Sequence, residues 1–187
     1  TEPQAGADPA EFTCTATRDG DEWVINGEKW FASHARFSEF LLVMVVTNPD
    51  VPIHEGASII LVEKGTPGME ILRNTAVGPY VEQGDGVHGY LRFTDCRVPA
   101  ENLLGEEGQG FLVAQTRLGG GRVHHAMRSV GVLKKALDMA CERVLSRTTK
   151  GELLSTKQMT QDKIADTYTQ ILQYRLHVLY TAWLIDK

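Results

Sequence analysis

Trp30, Phe31, Ala32 and Ser33 place two bulky aromatics, a small residue and a hydroxyl in consecutive positions. Such a stretch suits a flat ring with a polar edge, because an aromatic supplies the apolar neighbour and the hydroxyl a hydrogen bond. Strand side chains alternate, so one aromatic is expected on the core face and the other on the opposite face; taken alone, the stretch reads more simply as two core aromatics. Thr1 to Asp8 reads TEPQAGAD. Pro3, Gly6 and the following Pro9 fix an irregular backbone that offers a ligand the Thr1 hydroxyl and the amides of Gln4 to Ala7. The plainer alternative is a turn capped by Asp8. Arg122 follows Gly119-Gly120-Gly121 at an expected helix start. There the positive end of the dipole and the guanidinium fork both suit a phosphate or carboxylate, unless the side chain simply pairs with Glu106 or Glu107. His124 and His125 are adjacent helical positions about a hundred degrees apart and cannot form a catalytic pair; one is expected toward the core and one toward solvent.

Two kinds of element must carry these residues. From Phe12 to about Val98, β-branched and aromatic runs read as short strands: FTCTATR, EWVINGEKWFA, FLLVMVV, SIILVE and HGYLRF. Turn residues punctuate them at Asp19 to Asp21, Asn48 to Pro52, Gly65 to Gly68 and Gly84 to Gly86. Beyond Leu104 the apolar period changes to three and four, through Val123, Met127, Val130, Leu133, Leu137, Ala140 and Val144. A helix interior pays about 1 kcal/mol for each Gly relative to Ala. The glycine triplet is therefore expected to separate a short helix from a long one. A second long helix is expected from Ser155 to Lys187, with Ser155 or Thr156 as N-cap. The short link Thr148 to Leu154 makes the two long helices antiparallel neighbours.

The expected fold is thus α+β. An antiparallel β-sandwich or flattened barrel fills residues 1–103, and long antiparallel helices of an incomplete bundle fill residues 104–187. Two such helices cannot cover each other's apolar faces, so further helices, from the same chain or another subunit, are required.

Composition excludes several functions. The 187 residues are 42% hydrophobic, enough for a real core, and the formal charge of -5 argues against nucleic acid as a partner. Cys14, Cys96 and Cys141 are widely spaced and odd in number, which suggests neither a disulfide framework nor a zinc site. No membrane span or targeting segment is visible, and a soluble compartment, cytoplasm or organelle matrix, is expected.

Four segments in order, TEPQAGAD at Thr1 to Asp8, NGEKWFAS at Asn26 to Ser33, VPAENLLGEEGQGF at Val98 to Phe111 and RLGGGRVHHAMR at Arg117 to Arg128, resemble the acyl-CoA dehydrogenase family. The resemblance covers essentially the whole chain. It begins inside the first motif and stops before the family's last helices, so the chain is expected to be a piece of a longer enzyme. It implies FAD as cofactor. The first segment is similar to TEPGAGSD, whose Thr, here Thr1, binds the flavin together with backbone amides. The family's Ser that commonly contacts CoA is Ala7 here, leaving only a backbone contact. Phe31 stands at the flavin-flanking Trp, Ala32 follows it, and Ser33 stands at the Thr near flavin N5.

Arg122 matches the arginine that contacts the CoA chain in medium-chain-like members. Gly121 stands where isovaleryl-type members place a catalytic glutamate, and glycine cannot be a base. Arg147-Thr148-Thr149, with Lys150 and Gly151, resembles RxxFG, in which the Arg contacts the flavin pyrophosphate of a neighbouring subunit; Lys150 replaces the Phe. Arg147 and Thr149 are thereby implied at the cofactor. So is Gln158, the retained half of a later flavin-contacting pair.

The implied reaction removes a Cα proton from an acyl-CoA substrate and a hydride from Cβ, with the base expected beyond Lys187. Implied partners are an acceptor such as an electron-transfer flavoprotein and copies of the chain itself in a homodimer or homotetramer. Two alternatives stand beside it: a non-catalytic partner subunit, motivated by Ala7, Phe31 and Lys150, and an acyl-CoA oxidase. The Arg117 to Arg128 pattern further resembles the family branch with a fused phosphotransferase-like domain, which points to a hydroxylated or branched acyl chain. The isolated piece is expected to bind flavin weakly.

Overall fold

Alternating apolar residues from Thr15 onward build one six-stranded sheet. The computed structural model describes residues 1–76 and 87–187; the turn expected at Gly84 to Gly86 lies outside them. The strands are β1 (Thr15–Asp19), β2 (Glu22–Ser33), β3 (Phe40–Val46), β4 (Ala57–Glu63), β5 (Met69–Asn74) and β6 (His88–Pro99), with a short helix α1 (Ile53–Gly56) before β4. They lie in the order β4-β3-β1-β2-β6-β5. Neighbours run antiparallel, except that β1 meets β3 in parallel at Thr15 and Val46. β5 is a strand that the sequence pattern did not announce. It is an edge strand held on β6 alone, and its register slips between Ile71 and Arg73, which spoils the alternation.

One core cluster joins Trp23 and Ile25 of β2, Val43 and Val45 of β3, Ile60 and Val62 of β4, and Leu91, Phe93, Cys96 and Val98 of β6. Burial of each of the larger of these side chains is worth about 1.5–3 kcal/mol. Near its end β2 departs from alternation. Lys29 faces Leu91 but Ala32 faces Gly89, so β2 carries one extra residue there. Phe31 takes up that irregularity with φ 55, a left-handed conformation unusual for a bulky side chain. The expectation that Trp30 and Phe31 point to opposite faces therefore fails, and their rings lie 5.0 Å apart.

The chain divides into two compact units, Thr1–Thr116 and Arg117–Lys187, with the boundary inside a long helix. That helix, α2 (Gly110–Ser146), runs unbroken for 37 residues through Gly119-Gly120-Gly121, against the expected separation into two. The propensity cost of the three glycines is about 3 kcal/mol in total, and long flanking stretches on both sides outweigh it. The second unit continues through a hairpin, β7 (Thr148–Thr149) and β8 (Glu152–Leu153), into α3 (Gln158–Ile185). Ser155 and Thr156 lie in a 3-10 turn before α3, and the capping position is Lys157, which makes no side-chain capping bond. The expected N-caps are therefore displaced by a turn.

The two helices run antiparallel. Val144 and Leu137 flank Thr160 and Ile164, whereas Val123 and Ala126 flank Tyr174 and Val178. Val130, Ile171 and Val178 are buried between them, while Leu145, Leu176 and Trp183 remain largely exposed. Among the described residues no helix is long and apolar enough to cross a membrane.

Candidate functional site

Thr1 and the end of β2 share a cleft of ≈ 450 Å³. It is lined by Phe12, by Lys29 to Ser33 of β2, by Ser38, by β3 from Phe40 to Met44, and by Leu91 of β6. All four residues singled out on β2 are thus brought together with the loop that precedes β1. Phe31 presents an exposed ring, at 40% of its possible surface. Ser33 Oγ lies 2.9 Å from Nδ1 of His88, across the β2–β6 ladder. Trp30 Nε1 is buried and has no hydrogen-bond partner among the described residues. An apolar plate, a hydroxyl and an unused indole donor form a surface suited to a flat ring with a polar edge.

The loop from Thr1 is held from below. Glu2 is buried, and its carboxylate accepts hydrogen bonds from Lys29 Nζ at 2.6 Å, the Thr13 amide at 2.7 Å, Gln4 Nε2 at 2.8 Å and the Cys14 amide at 3.2 Å. Burial alone would push this carboxyl up. The bonds from Lys29, Thr13 and Gln4 outweigh burial and hold it below its ordinary 4.5. Lys29 also lies over the Phe12 ring, 4.5 Å from its centre. Above the carboxylate, the Trp30 amide donates to the Thr1 carbonyl at 2.8 Å. Ala5 and Glu2 exchange backbone hydrogen bonds, so the Ala5 amide is not available to a ligand as expected. Asp8 caps the Ala10 amide at 2.9 Å, so the capped turn is present as well. Ala7 is exposed on this loop and does not line the cleft.

The other expected residues belong to the second unit. Arg147, Thr149 and Gln158 lie along the connection between α2 and α3, with Lys150 and Gly151 at the hairpin tip in left-handed conformations, φ 51 and 81. Both central residues of such a two-residue turn need positive φ, which Gly151 adopts freely and Lys150 at a cost. Arg122 is not at a helix start: it sits inside α2, where the backbone amides are already bonded, so only its guanidinium can recognise an anion. His124 and His125 are both exposed, against the expectation that one would face the core.

Glu2, Lys29 and His88 were not singled out from the sequence. A signal existed for Lys29: it shares the period-two face of Trp23 and Ile25, so a strand reading buries it and demands an acidic partner. Cys14 and Cys96 are buried in the core, where burial raises each thiol to about 11.

Residues 1–96 match the family described as acyl-CoA dehydrogenase, middle domain, and residues 108–187 match acyl-CoA dehydrogenase, C-terminal domain. The chain belongs to the acyl-CoA dehydrogenase family. It is 42% identical to the protein named Probable acyl-CoA dehydrogenase FadE2 of Mycobacterium tuberculosis, over 100% of this chain and 46% of that one. It is 38% identical to acyl-CoA dehydrogenase family member 11 of Gallus gallus, over 100% of this chain and 24% of that one. Butyryl-CoA dehydrogenase of Megasphaera elsdenii superposes with a TM-score of 0.81 at 32% identity, over 96% of this chain and 46% of its own. The chain therefore spans less than half the length of these relatives.

Proposed function

We propose that this chain is part of an FAD-dependent acyl-CoA dehydrogenase that converts an acyl-CoA thioester to its trans-2-enoyl-CoA. The observation that carries the reading is the convergence of Thr1, the exposed and strained Phe31, and Ser33 on one cleft of the β-unit. FAD, when bound, supplies the acceptor for the hydride lost from Cβ. Phe31 offers the apolar plate beside the ring, and Thr1 and Ser33 offer hydroxyls to its polar edge. With its hydrogen on Nδ1, His88 donates to Ser33 Oγ and leaves the Ser33 hydrogen for the ligand; in the other tautomer Ser33 donates to His88.

In the second unit, Arg147, Thr149 and Gln158 are proposed to hold the cofactor, with Arg147 reaching the pyrophosphate in a neighbouring subunit. Arg122 is proposed to hold the CoA chain, with the Ala7 backbone beside the substrate. Gly121 cannot serve as base, and the base is proposed to lie beyond Lys187. An electron-transfer flavoprotein is the proposed acceptor, and the exposed apolar faces of α2 and α3 favour a homodimer or homotetramer. Incubation of the full-length protein with an acyl-CoA and an electron acceptor, followed by mass analysis, tests the reaction. A loss of two hydrogens from the acyl chain is expected; an unchanged acyl chain across short, long, branched and hydroxylated substrates contradicts it. Hydrogen peroxide in place of reduced acceptor would mark an oxidase instead.

A further inference from the structure

The bulge in β2 leaves Trp30 and Phe31 out of the ladder with β6, at the place where the cleft needs them fixed. What secures this segment is the first loop. The Trp30 amide is bonded to the Thr1 carbonyl, and the residue before it, Lys29, is bonded to the carboxylate of Glu2. Two consecutive residues of the loop thus grip two consecutive residues of the strand. Glu2 also accepts from the Thr13 and Cys14 amides, so the grip extends to the chain entering β1. A buried carboxylate with this many donors is a rigid anchor, because any displacement leaves a charge unpaired in the interior.

We propose that the Glu2–Lys29 pair is the positioning element of the flavin cleft, setting Thr1 relative to Phe31 and Ser33. Glu2 lies outside the cleft lining, whereas Lys29 belongs to it. The effect of the pair passes through the Thr1 carbonyl and the Trp30 amide, and it rests on the reading of this cleft as the flavin site. The residues gripped, Lys29 and Trp30, directly precede Phe31 and its left-handed backbone.

The test uses the full-length protein with two substitution sets, Lys29→Met and the charge-free double variant Glu2→Gln/Lys29→Met. The double variant leaves no unpaired buried charge and so guards against a simple failure to fold. Two readouts are taken: hydrogen exchange of the Trp30 amide in flavin-depleted protein, and FAD affinity with the flavin absorption spectrum. The double variant is expected to fold, lose protection at Trp30, bind FAD about tenfold more weakly or worse, and shift the flavin bands; tenfold is the scale of one lost hydrogen bond. A double variant with unaltered FAD affinity and spectrum overturns the proposal, whatever its thermal stability. Unaltered full-length protein that takes up no FAD overturns the flavin reading itself and this proposal with it, and is recognised before any variant is made.

Discussion

Ser33 Oγ and His88 Nδ1 are 2.9 Å apart, joining the last residue of β2 to the first residue of β6 at the open end of the cleft. The bond gives the Ser33 hydroxyl a fixed direction, which a lone serine on a strand end would lack. Ser33→Ala is expected to leave flavin bound and to slow anaerobic flavin reduction about 10²-fold, the scale for one donor aimed at developing charge. Ser33→Thr should restore most of the rate. Stopped-flow absorbance with a reactive acyl-CoA checks both.

Phe31 sets stability against function. Its left-handed backbone costs about 1–2 kcal/mol, whereas its contacts with Trp30 and His88 return about 0.5–1.5 kcal/mol each. Phe31→Gly removes both, so the melting temperature should stay within about 4 °C of the parent, while FAD affinity falls at least about tenfold. Phe31→Val keeps the strain and loses the aromatic contacts, and should be less stable than either. Calorimetry and flavin titration separate these outcomes.

Glu2 gives the protein an acid sensitivity of definite sign. Its carboxyl lies below the ordinary 4.5 in the folded state, so below that value the unfolded chain takes up a proton first. The stabilisation from Glu2 is full above about pH 4.5 and is lost as pH falls through the folded value. Urea melts at pH 7, 4 and 3 should show a loss of stability below pH 4.5 that is shallower in Glu2→Gln than in the parent.

The glycines of the first and second units predict opposite results. A Cβ on Gly108 would sit 2.5 Å from the Glu55 carbonyl oxygen, and φ is +82, so Gly108→Ala should destabilise by about 1–3 kcal/mol. A Cβ on Gly120 meets nothing within 4 Å inside α2, so Gly120→Ala should stabilise by up to about 1 kcal/mol. Thermal midpoints of the two variants decide this directly.

The sequence foretold the core strands because β-branched and aromatic residues dominate the runs that carry Trp23, Ile25, Val43, Val45, Ile60 and Val62. The pattern failed where backbone geometry overrides alternation. Nothing in the side chain of Phe31 announces a positive φ, and the edge strand β5 loses its alternation where its register slips. Gly119 to Gly121 signalled a helix break because propensity is local, whereas helix formation is cooperative along all of α2. In the site, Trp30 to Ser33 stood out by type, though type alone favoured two core aromatics, and the Phe12 and β3 part of the lining read only as strand. The anchor beneath them was half legible, since the period buries Lys29 but does not say that Glu2, far away in sequence, meets it.

The central claim is tested most directly by the visible absorption spectrum of purified full-length protein, recorded anaerobically before and after addition of a panel of acyl-CoAs. Acyl-CoA dehydrogenation at this cleft predicts oxidised flavin bands that bleach with at least one acyl-CoA. Bound flavin that no acyl-CoA bleaches, or a protein without flavin, would contradict it.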